Sequence, residues 1–358
     1  MGPNTFLVLF FGLALLILGG NLLLKSAVSI SLKFNIAKIL IGMTVVSFAT
    51  SAPELIVSIK SAFLGSSDLA ISNVLGSNIA NIGLVLGIII LISPIKISKD
   101  IYKLDWPVMM LSAVLFWLFV RDLVIERYEG IILFSLLVIS IIVLIKQQSH
   151  DEENVDLEVK EVNSIPLSIL MLVLGGVLLY FGSEWFVLSA IDIANYFGVS
   201  ERIIGITVVS VGTSIPELAT SLVALLNKEK NISIGNLIGS NIFNVFAVLG
   251  ITSILTPLNV VNLNIVNFDI YVMLLFAFII LPLMFFPKKL VLGRFEGLII
   301  FSLYVVYILN IFTGSALVLF LTLFAFARIG LYRAFTRYLS SETAALIAAG
   351  SGFSAITL

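Results

Sequence analysis

Two glutamates sit where an apolar sequence should not tolerate them. Glu54 follows Pro53 in TVVSFATSAPELIVS, residues 44–58, and Glu217 follows Pro216 in GITVVSVGTSIPEL, residues 205–218. An ionised carboxylate inside an apolar span is costly, and a proline there removes a helical hydrogen bond. Ser47, Thr50 or Ser51, and Ser58 recur around Glu54 at three- and four-residue steps, so they share one helix face. Ser210, Thr213, Ser214 and Ser221 repeat that face around Glu217. Further on, Ser77, Asn78 and Asn81 are matched by Ser240, Asn241 and Asn244. Every candidate ligand offers oxygen, which suits hard cations such as Ca²⁺ or Na⁺ and disfavours zinc or copper. Two bare carboxylates held together in a low dielectric repel strongly. One Ca²⁺ cancels both charges, and so do two or more Na⁺. A site that must stay neutral, and that competing ions can neutralise, couples the movement of those ions. Its empty form is the costly one to reorient, so exchange is favoured over leak.

The elements that hold these residues are membrane spans. The chain has 358 residues, of which 60% are hydrophobic and only 11% charged, and its mean hydropathy is +1.17. Soluble domains carry about twice that share of charge. Apolar stretches long enough to cross a bilayer recur at 5–33, 36–64, 69–93, 104–120, 127–146, 165–196, 202–227, 232–256, 267–287 and 295–312. The reading is an all-α polytopic membrane protein with ten transmembrane helices. The N-terminal MGPNTFLVLF lacks a basic leader and a cleavage pattern, so it reads as the first span. A net charge of −1 gives no reason to expect nucleic acid. There is no Cys and a single His, His150, which removes disulfides, thiolate metal sites and Cys/His catalysis.

The spans fall into two sets. GMTVVSFATSAPEL at 42–55 and GITVVSVGTSIPEL at 205–218 agree at ten of fourteen positions, with an offset of 163. GSNIANIGLVLG at 76–87 and GSNIFNVFAVLG at 239–250 agree at eight of twelve, at the same offset. Two motifs in register mark a duplicated unit. Residues 1–147 form the first repeat, 148–164 an acidic linker, and 165–312 the second repeat. The linker HDEENVDLEVKEVNS, residues 150–164, holds six acids and reads as a solvated segment. Five spans per unit oblige the second copy to enter the membrane upside down. Inverted repeats with interrupted helices at matching positions are a signature of secondary transporters, whose site lies at the midplane between the repeats. The prolines then have a use: they free a carbonyl and bend the helix, and broken backbone is tolerated at depth where it lines a buried or wet cavity.

Thirteen Lys and Arg follow odd-numbered spans, against Arg121, Arg127 and Arg202 after even ones. That bias puts the N-terminus outside and the acidic linker in the cytoplasm. Residues 313–358 form an unassigned C-terminal segment with an apolar stretch, GSALVLFLTLFAFA, that is short for a further span. Simpler roles exist for some of these residues. Gly76-Ser77 and Gly239-Ser240 also suit close helix packing. Glu184, equivalent to Asn21, reads as a helix-end or supporting group, and Asp68 and Asn231 read as loop residues.

At the two motif pairs the chain resembles the cation/Ca²⁺ exchanger superfamily, and most of all its compact prokaryotic sodium/calcium exchangers. GTSIPEL and GSNIFN match that family's repeat motifs, and the likeness runs over about residues 5–312. The resemblance implies ten helices, with a long, tilted first and sixth sliding over a core that holds the ions. It implies Glu54 and Glu217 as the main acidic ligands. Thr50, Ser51, Ser77, Thr213, Ser214 and Ser240 would add hydroxyl or carbonyl oxygens, and Asn81 and Asn244 fall where the family carries Asn or Asp. The chain departs from the pattern at Ala49, where the other half has Gly212. It also departs in having amides at both Asn81 and Asn244, which leaves two formal charges in the site.

The function expected is secondary active antiport of Na⁺ against Ca²⁺ by alternating access, in a prokaryotic inner or plasma membrane. One chain supplies the whole site, and no cofactor is needed. Ca²⁺/H⁺ exchange is the runner-up, weakened because Asn81 and Asn244 cannot carry protons, and a K⁺-dependent variant stands beside it. A cation channel is a different class; it needs a continuous pore and usually a multi-subunit axis. An intramembrane enzyme would need a base beside a motif serine, and none is evident.

Overall fold

The computed structural model describes residues 3–34, 37–147, 164–196, 212, 214–286 and 289–313. Among these, eight helices are long and apolar enough to cross a membrane. They are Thr5–Phe34, Ser67–Ile92, Ile101–Val120, Arg127–Lys146, Ile165–Ser189, Lys230–Leu255, Ile265–Phe285 and Arg294–Ile311. They correspond to expected spans one, three to six and eight to ten. The second span is a broken pair, Lys38–Thr50 and Ala52–Phe63, bent by 43°. Of the seventh, Ile215–Leu226 is described, and its first half at 202–211 lies outside the described residues. So do the linker at 148–163 and the segment from 314 onward.

The duplication extends into the first and sixth spans, which pack on each other through glycines. A Cβ on Gly12 would come within 3.0 Å of the Gly182 carbonyl oxygen, and one on Gly182 equally close to that of Gly12. Gly19 and Gly175 repeat the pair at 2.8 and 3.0 Å. Gly12 is the repeat equivalent of Gly175, and Gly19 of Gly182, so the contact is reciprocal about one axis. Only glycine permits such backbone approach between apolar helices.

Four two-residue strands settle the relative direction of the halves. β1 (Ile95–Lys96), after the third span, pairs antiparallel with β4 (Val291–Leu292), before the tenth. β2 (Val124–Ile125), after the fourth span, pairs with β3 (Leu258–Asn259), after the eighth. The third-to-fourth and ninth-to-tenth connections therefore share one face, and the fourth-to-fifth and eighth-to-ninth share the other. The connection after the third helix of each unit thus lies on opposite faces, which is what inversion requires. Buried apolar residues of both halves, among them Ile71, Phe116, Phe246 and Phe276, form a shared core around the third and eighth spans, with smaller clusters beside the first span.

Two sequence expectations change here. Asp68 is not a free loop residue: it lies in the first turn of the third span, and its carboxylate accepts from the backbone N–H of Val261 and Asn262, both at 2.9 Å. Glu184 stands well inside the Ile165–Tyr196 helix, exposed, rather than at a helix end.

Candidate functional site

The second span breaks at Ser51 (φ −85°, ψ 1°), and a new helix starts at Ala52 with Pro53 in its first turn. Pro53 has no N–H to offer the carbonyl four residues back, at Ala49, so the break falls just where the ladder has lost a bond. Ser214 (φ −92°, ψ 4°) likewise precedes the helix Ile215–Leu226, which carries Pro216 in its first turn. Each glutamate follows directly and occupies the first turn of its half-helix, where unsatisfied N–H groups favour negative charge. The third and eighth spans carry a second irregularity. Each widens into one π-helical segment, Asn81–Leu86 and Asn244–Leu249, headed by the expected asparagine. Such bulges are frequent at functional sites.

Glu54, Glu217, Asn81, Asn244, Thr50, Ser51, Ser77, Ser214 and Ser240 are all buried. Thr213 lies outside the described residues. Glu54 and Glu217 come close enough to repel one another although 163 residues separate them. Thr50 and Ser51 of the first repeat, with Ser240 of the second, stand around the Glu217 carboxylate. Even so, neither oxygen of Glu54 or Glu217 closes a hydrogen bond with the protein, nor do the side chains of Ser51, Ser214, Asn81 and Asn244. Unmade bonds on this many buried polar atoms are expensive. The donor set is one a hard cation fits: two carboxylates, amide oxygens and hydroxyls, with no nitrogen or sulfur ligand among the described residues.

The residues flanking this cluster tie the repeats together. Thr50 Oγ1 lies 3.2 Å from Asn236 Oδ1 and 3.3 Å from Ser240 Oγ. The Ser47 hydroxyl reaches the carbonyls of Gly42 (2.8 Å) and Asn236 (2.9 Å). Asn236 Nδ2 donates to Ser221 Oγ at 3.1 Å, and its repeat equivalent Asn73 donates to Ser58 Oγ at 3.0 Å and to the Glu54 carbonyl at 3.2 Å. Ser58 and Ser221, expected on the ligand face, thus serve as acceptors for amides.

Sequence reasoning missed Asn73 and Asn236, although their spacing of 163 was available as a signal. It also missed Asp105 and Asp269. Both close a π-helical segment, Ile101–Asp105 and Ile265–Asp269, at the start of the fourth and ninth spans. Asp105 is fully buried with no hydrogen bond to its carboxylate, while Asp269 accepts one from Tyr307 Oη at 3.2 Å.

An inverted pair of membrane units with two facing carboxylates between them defines an ion-handling membrane protein of the secondary-transporter kind. The family described as sodium/calcium exchanger protein matches residues 4–146 and 167–313, and the chain belongs to it. CaxA of Alkalimonas amylolytica is 36% identical over 303 residues, 83% of this chain and 95% of the relative. The sodium/calcium exchanger MaX1 of Methanosarcina acetivorans is 32% identical over 351 residues, 86% of this chain and 98% of its own length. A structure of the sodium-calcium exchanger NCX_Mj, soaked with Na⁺ and Ca²⁺, matches with a TM-score of 0.73 at 28% identity, over 87% of this chain and 99% of that one.

Proposed function

We propose that the protein is an antiporter that exchanges Na⁺ for Ca²⁺ at one site between its repeats, by alternating access. The observation that carries this is the convergence of Glu54 and Glu217, one from each half, buried and without a protein partner. Family membership and the name of MaX1 support the choice of ions. The ligands in this reading are Glu54, Glu217, Asn81, Asn244, Thr50, Ser51, Ser77, Thr213, Ser214 and Ser240. Both amide positions leave the site with two negative charges, so one Ca²⁺ neutralises it. Residues 1–147 and 165–312 act as the two inverted halves, and the lysine bias supports an N-terminus outside with the linker at 148–164 in the cytoplasm. No enzymatic step is required.

The test is radioactive Ca²⁺ uptake into liposomes holding the purified protein, loaded with Na⁺ and diluted into Na⁺-free buffer. Uptake that needs internal Na⁺ is the expected result. Uptake that follows an imposed proton gradient instead would move the protein to Ca²⁺/H⁺ exchange. Flux needing no counter-ion would make it a channel.

A further inference from the structure

Asn236 lies on the eighth span, one helical turn before Ser240, and it is fully buried. Its two amide ends are both used. Nδ2 donates to Ser221 Oγ at 3.1 Å, and Oδ1 lies 3.2 Å from Thr50 Oγ1. Ser221 is one turn beyond Glu217, and Thr50 one turn before Glu54. The amide thus bridges the helix that carries one carboxylate and the broken helix that carries the other. Thr50 has a single hydroxyl proton, and of the two groups beside it that can only accept, Asn236 Oδ1 at 3.2 Å is nearer than the Ser47 carbonyl at 3.3 Å. Once that proton is given to the amide, the lone pairs of Thr50 Oγ1 are left for a cation. The backbone carbonyl of Asn236 also receives the Ser47 hydroxyl at 2.9 Å, so the residue grips the first repeat at two points.

From this geometry we infer that Asn236 is a positioning residue that sets the separation of the two carboxylates and orients Thr50 as a cation acceptor, thereby favouring Ca²⁺ over Na⁺. The inference rests on the ion site proposed above. Ca²⁺ needs both carboxylates on one ion, so loosening the bridge weakens Ca²⁺ more than Na⁺, each of which can be held by one carboxylate. Asn73 is the equivalent in the first repeat and grips Ser58 and the Glu54 carbonyl.

The test is equilibrium ⁴⁵Ca²⁺ binding, with Na⁺ competition, on the purified full-length chain and on Asn236→Ala, Thr50→Val, their combination, Ser221→Ala and Glu217→Gln. Asn236→Ala is expected to weaken Ca²⁺ binding about tenfold and Na⁺ competition less than about threefold, a split that general loosening of the fold would not produce. The double variant is expected to lie within about twofold of Thr50→Val, because the amide acts through that hydroxyl. Equal weakening of both ions, or losses that multiply in the double variant, would overturn the inference. If Asn236→Ala does not fold, Ser221→Ala carries the test: it frees one end of the amide and is expected to weaken Ca²⁺ about threefold with Na⁺ unchanged. No effect there would equally overturn it. Glu217→Gln separates the two levels. If it abolishes Ca²⁺ binding while Asn236→Ala changes nothing, the positioning role fails alone; if it still binds Ca²⁺ normally, the site itself is misassigned.

Discussion

The third and eighth spans share a motif, but its glycines differ in their described surroundings. Gly76 and Gly239 occupy equivalent places in the third and eighth spans. A Cβ on Gly239 would overlap the Met43 carbonyl oxygen and Ser47 Oγ, whereas one on Gly76 would meet nothing within 4 Å. Asn236 is fully buried and Asn73 only partly. Of the most apolar 18 residues of the third span 72% are buried, against 89% in the eighth. Among the described residues, then, the second and eighth spans meet in a tight seam. The seventh-span residues equivalent to Met43 and Ser47, at 206 and 210, lie outside the described residues, so the contrast is one between the described surroundings of Gly239 and Gly76.

Variants at paired positions break or sharpen that comparison. The largest effect is expected where the halves are alike: Glu54→Gln and Glu217→Gln should each lower Ca²⁺ exchange by about 100-fold or more, since one carboxylate cannot neutralise Ca²⁺. Near-normal flux in either would end the two-carboxylate description. The next effect should differ between halves. Gly239→Ala is expected to cost about 3 kcal/mol through overlap with backbone, and Gly76→Ala less than about 0.5 kcal/mol, read from thermal unfolding in detergent. Similar losses at both would mean that the surrounds are equally tight. Smaller still, Asp68→Ala removes two hydrogen bonds to the Val261–Asn262 backbone at an exposed site and should cost about 1 kcal/mol. Its counterpart latch is of opposite charge: Lys230 Nζ donates to the Pro94 carbonyl at 2.8 Å. Lys38→Met should be the mildest, at about 0.5 kcal/mol, because its 2.8 Å pair with Glu229 is part-exposed.

What could be read from the residues follows from what is duplicated without insertion. The offset of 163 holds from Gly12 and Gly175 through Gly87 and Gly250, and within that stretch the motif pairs revealed the repeat, the break in the second span and the two buried glutamates. Beyond it the register drifts, to 164 between Asp105 and Asp269 and to 167 between Glu129 and Glu296. That drift hid a second pair of acids, Asp105 buried and Asp269 half-buried. It also hid two matching helix starts, where Glu129 accepts from the Glu126 N–H at 2.9 Å and Glu296 from the Gly293 N–H at 2.7 Å. The π-helical segments were illegible for another reason. NIGLVL and NVFAVL are apolar sequences that read as ordinary helix, and the wider turn shows itself only in the backbone. Asn73 was passed over because a lone amide near a helix start has no helical partner; its partner Ser58 sits across a turn on another span. Two-residue strands such as β1 and β4 are too short for alternation to register.

The most direct measurement is the stoichiometry of Ca²⁺ binding at equilibrium in the wild-type chain, Glu54→Gln and Glu217→Gln, with folding of each checked by thermal unfolding. A single shared site should bind one Ca²⁺ in the wild type and lose it in both variants. A variant that keeps a Ca²⁺ site of normal affinity would show that the carboxylates belong to separate sites, and would contradict the convergence of the two repeats on one ion.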